Sequence, residues 1–160
     1  MPNIQQENGC IKAPGLAIGS GGKTTFSFAN NIRVKANGMI SDDLTATDAP
    51  ALTTAEDKDG DTPTTLAIDY ERAYTLLATV NTSTGVVTLT LAVSEDFAEG
   101  HIWQLSDLNW GNSVDNDSHK AVVGFIIIAN TTNVFTPGTT ALDAAGVTVR
   151  YLDNLLPIGA

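Results

Sequence analysis

Apolar and polar residues alternate with a period of two along much of this chain, as strands with one covered face require. The clearest case spans residues 74–93. Tyr74, Leu76, Ala78 and Val80 share one face, opposed by Thr75, Leu77 and Thr79. Thr82–Gly85 turns the chain, and Val87, Leu89, Leu91 and Val93 return on the covered side, with Val86, Thr88, Thr90 and Ala92 opposite. The pattern predicts a hairpin whose register is pinned by its own alternation. Ala121–Ala129 differs, being a nearly unbroken apolar run with Ile126, Ile127 and Ile128 in succession. It predicts a strand covered on both faces. Asn130–Asn133 and the turn pair Pro137–Gly138 follow. Val147, Val149 and Tyr151 then alternate with Thr148 and Arg150, which predicts a half-buried return strand. Nearer the start, Phe26 and Phe28 share a face, and Ile32, Val34 and Ala36 alternate with Arg33 and Lys35. Asn37–Gly38 predicts a two-residue hairpin turn before Met39–Ile40.

The remaining stretches are irregular. Residues 1–22 carry Pro2, Gly9, Pro14, Gly15, Gly19, Gly21 and Gly22, too much punctuation for a regular element, and read as an extended N-terminal arm. Its isolated apolar points are Ile4, Ile11, Leu16 and Ile18. Residues 41–65 read as a long acidic loop. Ser94 with Glu95 and Asp96 predicts a short helix, and Trp103, Leu105, Leu108 and Trp110 follow with a large apolar area. LDNLLPIGA closes the chain as a short apolar tail. The expected fold is all-β: one antiparallel β-sandwich or barrel-like domain over 23–160, with long loops and the arm 1–22.

Composition sharpens this. At 160 residues the chain fits one domain that buries a core without a disulfide or metal. The charged fraction is only 16%, and Thr, Asn, Ser and Gly fill the gap. The net charge of −10 repels phosphate, which argues against nucleic acid and anionic membranes as partners. Cys10 is the single cysteine, so no intrachain disulfide forms, and with no partner base nearby it reads as an inert thiol. MPNIQQENGC has neither basic residues nor an apolar core, so no Sec signal is expected and synthesis is expected in the cytoplasm. No apolar run reaches the roughly 18 residues of a membrane helix.

Several chemical motifs are approached and missed. DKDGDT places Asp57, Asp59 and Asp61 at the first three ligand positions of a calcium loop. Its glycine, Gly60, comes one place early, and Ile68 stands where the bidentate glutamate belongs, so a solvated acidic loop is the better reading. Asp115, Asp117 and His119 alternate, but with His101 and the remote Cys10 they make too few ligands for a transition metal. Lys23–Thr24–Thr25 after Gly19–Gly22 lacks phosphate-loop spacing. A serine–histidine–carboxylate set is not excluded by counting, yet no nucleophile elbow exists. No cofactor, metal or catalytic residue is expected. Asn81–Ser83, Asn116–Ser118 and Asn130–Thr132 match the glycosylation pattern, which has no use without secretion.

The stretch AVVGFIIIANTTNVFTPGTTALDAAGVTVRYLDN resembles the closing segment of small structural proteins of tailed bacteriophages, the head decoration and head-associated proteins. The likeness lies in an apolar strand starting near Val122–Gly124, an Asn-rich turn, the Phe-x-Pro-Gly-Thr-Thr-x-Leu-Asp run Phe135–Asp143, and a last strand. TTFSFANNIRVKANGMI is similar to the same proteins more loosely. The resemblance covers about a third of the chain. It implies a non-enzymatic virion protein, made in the host cytoplasm and assembled onto the capsid. Its implied partners are the major capsid protein or other virion proteins, and copies of itself in a homo-oligomer. The expected contact residues are Ile4, Ile11, Leu16 and Ile18 of the arm, Trp103 and Trp110, and Leu155 and Leu156 of the tail. One alternative is a carbohydrate- or receptor-binding module, a fibre or tail component using Trp103 and Trp110. Another is a small hydrolase pairing His101 or His119 with a carboxylate and a hydroxyl.

Overall fold

The structure is a computed structural model and describes residues 8–19, 23–45, 49–98, 100 and 119–154. It is an all-β fold of antiparallel sheets, which form no closed barrel among the described residues. Ten strands occur among the described residues: β1 (Gly9–Cys10), β2 (Leu16–Ile18), β3 (Phe26–Phe28), β4 (Val34–Ala36), β5 (Met39–Ile40), β6 (Tyr70–Val80), β7 (Val87–Val93), β8 (Phe97–Ala98), β9 (Lys120–Asn130) and β10 (Val147–Asp153). The main sheet runs β10-β9-β6-β7, with β8 pairing the start of β6. Two small sheets, β1-β4-β5 and β2-β3, lie over one face of it, giving a sandwich-like core.

The hairpin read from the alternation forms in the expected register, Tyr74 opposite Val93 through Val80 opposite Val87. Tyr74, Leu76, Ala78, Leu91 and Val93 face the small sheets. β9 pairs β6 on the other side, and the ladder shifts between Leu76 and Leu77, where β9 passes from Gly124 to Val122. The skipped residue, Val123, bulges and changes the phase of the strand. Ala121 and the bulged Val123 face the core, and beyond the bulge Ile126 and Ile128 do. Phe125 and Ile127 cluster with Ala73 on the opposite face. Both faces of β9 are thus buried, and its apolar run fails to alternate for that reason.

Turn chemistry is local and forms as read. Asn37 and Gly38 both adopt positive φ, 47° and 74°, as the tight β4–β5 hairpin requires. Pro137–Gly138, with Gly138 at φ 76°, makes a type II turn closed by the Thr139 N–H donating to the Thr136 carbonyl at 3.1 Å. One local expectation fails, and one loop carries more order than its sequence shows. Residues 94–98 are extended, not helical, because the Ser94 hydroxyl accepts from the Ala73 N–H and Phe97–Ala98 join β6. Residues 49–57 are ordered by burial of Leu52 in a 3-10 turn and a parallel bridge from Glu56 to Ala92.

The described part of the N-terminal segment lies inside the domain. β1 pairs β4, and β2 pairs β3. Cys10 is fully buried, and Leu16 is 9% exposed in the core. The Asp153 carboxylate accepts the Gly15 and Leu16 N–H groups at 3.1 Å each, fastening this segment to the end of β10. Leu16 also fills the space over Gly124, where an added Cβ would stand 2.5 Å from Leu16 Cδ1 and 2.6 Å from the Leu152 carbonyl oxygen.

That contact is testable. Gly124→Ala overpacks the site and should lower unfolding free energy by about 1 to 3 kcal/mol in urea melts. Leu16→Ala opens room for the methyl, so the double variant should be less destabilised than the two single changes summed. Strict additivity, or a Gly124→Ala protein as stable as the parent, would break the described contact.

Candidate functional site

Of the residues expected at an interface, Ile4, Trp103, Trp110, Leu155 and Leu156 lie outside the described residues, as does His101. The structure brings no two of the remaining three together at one surface. Ile11 is exposed just after β1, Ile18 packs half-buried against the core, and Leu16 is a core residue. Leu16 is therefore corrected from a subunit contact to an internal one: its apolar surface is already spent on Gly124 and the core.

The most built polar region sits where the acidic loop meets the residues after β7. Two adjoining clefts of about 270 and 260 Å³ open there. Asp57, Val93, Ser94 and Glu95 border both, with Lys58 and Asp59 on one side and Asp61, Arg72 and Asp96 on the other. The central residue is Arg72, at a position of β6 that shares the parity of Tyr74 and Leu76. Its side chain is only 4% exposed, while that of Asp96 is 33% exposed. The guanidinium donates in a fork to Asp96, Nε to Oδ1 at 2.6 Å and Nη2 to Oδ2 at 3.0 Å. Nη1 donates to the Thr64 carbonyl at 2.7 Å. One side chain thus joins β6, the β7–β8 connection and the segment that enters β6. Tyr74 lies beside it, and burial pushes its phenol upward against the opposing pull of Arg72.

The acidic loop is organised by its own first residue. Asp57 Oδ1 accepts the N–H groups of Asp59 at 2.8 Å and Asp61 at 3.0 Å. The Asp57 N–H donates to the Asp61 carbonyl at 2.9 Å, and Gly60 closes the turn at φ 85°. Backbone bonds from Asp61 and then Asp59 hold the Asp57 carboxyl below its ordinary value. The DKDGD spacing is thereby explained as an Asx-type turn, in which the leading carboxylate caps the loop. Among the described residues no group of three or more acid, histidine or cysteine side chains converges as metal ligands.

The other candidates are not assembled into a reactive set. The Cys10 thiol is pushed up to about 12 by burial and then by Asp153, which keeps it protonated and unreactive at neutral pH. His119 is exposed, and among the described residues no hydrogen bond or ion pair joins its ring to a carboxylate. In the run Phe135–Asp143, Phe135 and Leu142 are core residues. The Leu142 N–H donates to the Lys23 carbonyl at 2.7 Å, and Lys23 pairs with Asp143. Arg72 and Asp96 were missed in the sequence; the available signal was a charge at a core-facing position of an alternating strand, which demands a partner. No family model, no curated protein and no solved structure matches this chain.

Two outcomes follow from this region. Asp96→Ala strands a buried guanidinium and should cost about 3 to 5 kcal/mol in chemical denaturation. Arg72→Met should cost less, because Asp96 is exposed enough to take up water once freed. The reverse order would overturn the assignment of Arg72 as the buried partner. The Asp57 carboxyl should titrate below 3.8 in carbon-detected NMR. Since its value is depressed in the folded chain, its contribution to loop order is present above the unfolded value and is lost as pH falls through the folded one. The Asp59 and Asp61 amide resonances should follow the same midpoint; a midpoint at or above 3.8 would contradict the cap.

Proposed function

We propose that this chain is a non-catalytic structural subunit of a tailed-bacteriophage particle, carried on the capsid as a decoration or head-associated protein. One observation carries the reading. The stretch whose residues resemble virion proteins, Phe135–Asp143, is architecture in this fold. It plugs the core with Phe135 and Leu142 and ties the β9–β10 connection to residue 23 by a main-chain bond and an ion pair. Four polar side chains that could have suggested chemistry are likewise committed to structure: Asp57 caps its loop, Asp153 holds β2, and Arg72 and Asp96 hold each other. A subunit that must keep its shape in a lattice has use for such commitments. Its partners in this reading are the major capsid protein or other virion proteins, and further copies of itself. The carbohydrate-binding alternative rests on Trp103 and Trp110, and no described surface adds to it.

The test is whether the chain travels with particles. Phage banded on a density gradient from lysates of the source cells should carry its peptides in fixed ratio to the major capsid protein, read by quantitative mass spectrometry. Gold-labelled antibody should decorate heads in electron micrographs. Peptides confined to the soluble fraction, with bare particles, would overturn the proposal.

A further inference from the structure

The two edges of the main sheet are treated differently. The edge of β7 is partly closed, because Glu56 donates its N–H to the Leu91 carbonyl at 3.2 Å and accepts the Val93 N–H at 3.0 Å. No strand among the described residues pairs the outer edge of β10. Its ladder with β9 is bracketed by the Thr131 N–H on the Gly146 carbonyl and the Asn154 N–H on the Val123 carbonyl, both 2.9 Å. That phase turns the main-chain groups of Thr148, Arg150 and Leu152 toward β9 and those of Val147, Val149 and Tyr151 outward. The Val147 N–H is used by the Ala144 carbonyl at 3.0 Å. The N–H and C=O groups of Val149 and Tyr151 and the C=O of Val147 have no hydrogen-bond partner among the described residues.

The usual guards of an exposed edge are missing from this strand. β10 contains no proline, no lysine and no bulge against β9. Its two charges are turned elsewhere: Arg150 pairs with Glu71 across the sheet, and the Asp153 carboxylate holds the Gly15 and Leu16 N–H groups. Val147, Val149 and Tyr151 are half-buried on one face, so an added strand would extend the apolar row they begin.

We infer that the outer edge of β10 is a strand-pairing site whose occupant is β10 of a second copy of this chain, running antiparallel about a two-fold axis at Val149. The sequence of the strand selects that register. Centred on Val149, valine meets valine, Val147 meets the partner copy's Tyr151, and Thr148 meets its Arg150. Centred on Arg150, the two guanidinium groups oppose each other; centred on Tyr151, Val149 faces a carboxylate, Asp153. Of these three registers only the first opposes apolar to apolar along one face without setting like charges together on the other. The Val149 groups then donate and accept reciprocally across the axis, and each Tyr151 N–H reaches the other copy's Val147 carbonyl. The joined edges make one continuous sheet through both copies.

The inference is tested on the full chain by a concentration series of amide NMR spectra, with sedimentation equilibrium in parallel. The Val149 and Tyr151 amides should shift and gain exchange protection as concentration rises, while Thr148 and Arg150, already bonded to β9, keep theirs. Val149→Pro removes an outward N–H that the monomer does not use, so association should be lost with the melting curve retained. Thr148 is exposed. Thr148→Glu places a carboxylate opposite the partner copy's Arg150 twice per dimer and should tighten association about five-fold, and Thr148→Lys should weaken it by a similar factor. This charge pair decides the register even if Val149→Pro fails to fold. A chain that stays monomeric at every concentration, or whose concentration-dependent shifts lie away from β10, overturns the inference. So does an equal response to glutamate and lysine at position 148. A chain that pairs through β10 yet is missing from particles keeps the pairing site and removes the virion reading.

Discussion

Everything in this domain is arranged around the pairing of β6 with β9. Each strand is eleven residues long, and each is buried on both faces over most of its length. A strand in that position cannot leave its main-chain groups to water, so both of its sides must be paired inside the protein. β7 satisfies the far side of β6, and β10 the far side of β9. The apolar row that this central pair presents on one face must then be covered, and the short strands β1 to β5 do that. None of these is longer than three residues. They are too short to stand as independent sheets and hold their place by packing on the central pair.

The long strands were legible because their information is local. A period of two in Tyr74–Val93 gives both the hairpin and its register, and the composition of Asn37–Gly38 gives a turn. The bulge in β9 was less visible, although Gly124 in the middle of an apolar run was its signal. The strands within residues 8–19 are hard to see for a different reason. Leu16 and Cys10 look isolated between glycines and prolines because their partners lie outside any local window: Phe28 and Val34 by strand pairing, and, more than a hundred residues on, Asp153 by side chain and Gly124 by contact. Nothing in a local window reports a partner more than a hundred residues distant. The Arg72–Asp96 fork falls between these cases, since the strand pattern flags a charge in the wrong place but does not say which carboxylate answers it.

Several polar side chains that look reactive are used to satisfy backbone. Asp57 accepts from Asp59 and Asp61, Asp153 from Gly15 and Leu16, and Asn130 donates to the Leu66 and Ala67 carbonyls. Short strands and long connections leave many main-chain groups outside regular ladders, and each must find a partner or reach water. The high share of Asn, Asp, Ser and Thr in this chain serves that need. Motif reading on such a sequence therefore returns fragments of calcium loops and phosphate loops, since the same donors and acceptors that bind ions also close turns.

Charge sets the terms on which copies of this chain can meet. Among the eight Lys and Arg residues, Lys23, Arg33, Lys58, Arg72 and Arg150 each pair with an acid of the same chain. The chain as a whole carries an excess of ten negative charges. Two such chains repel over distances comparable to the Debye length, about 8 Å at physiological salt. An association that relied on side-chain ion pairs would have few cations to offer. Main-chain hydrogen bonds and a row of valines and a tyrosine carry no net charge, so an open strand edge is one of the few contacts that such an acidic surface leaves favourable. Added salt screens the long-range repulsion without weakening the ladder, and association through that edge should therefore tighten as ionic strength rises, the opposite of what a contact built on opposite charges would do.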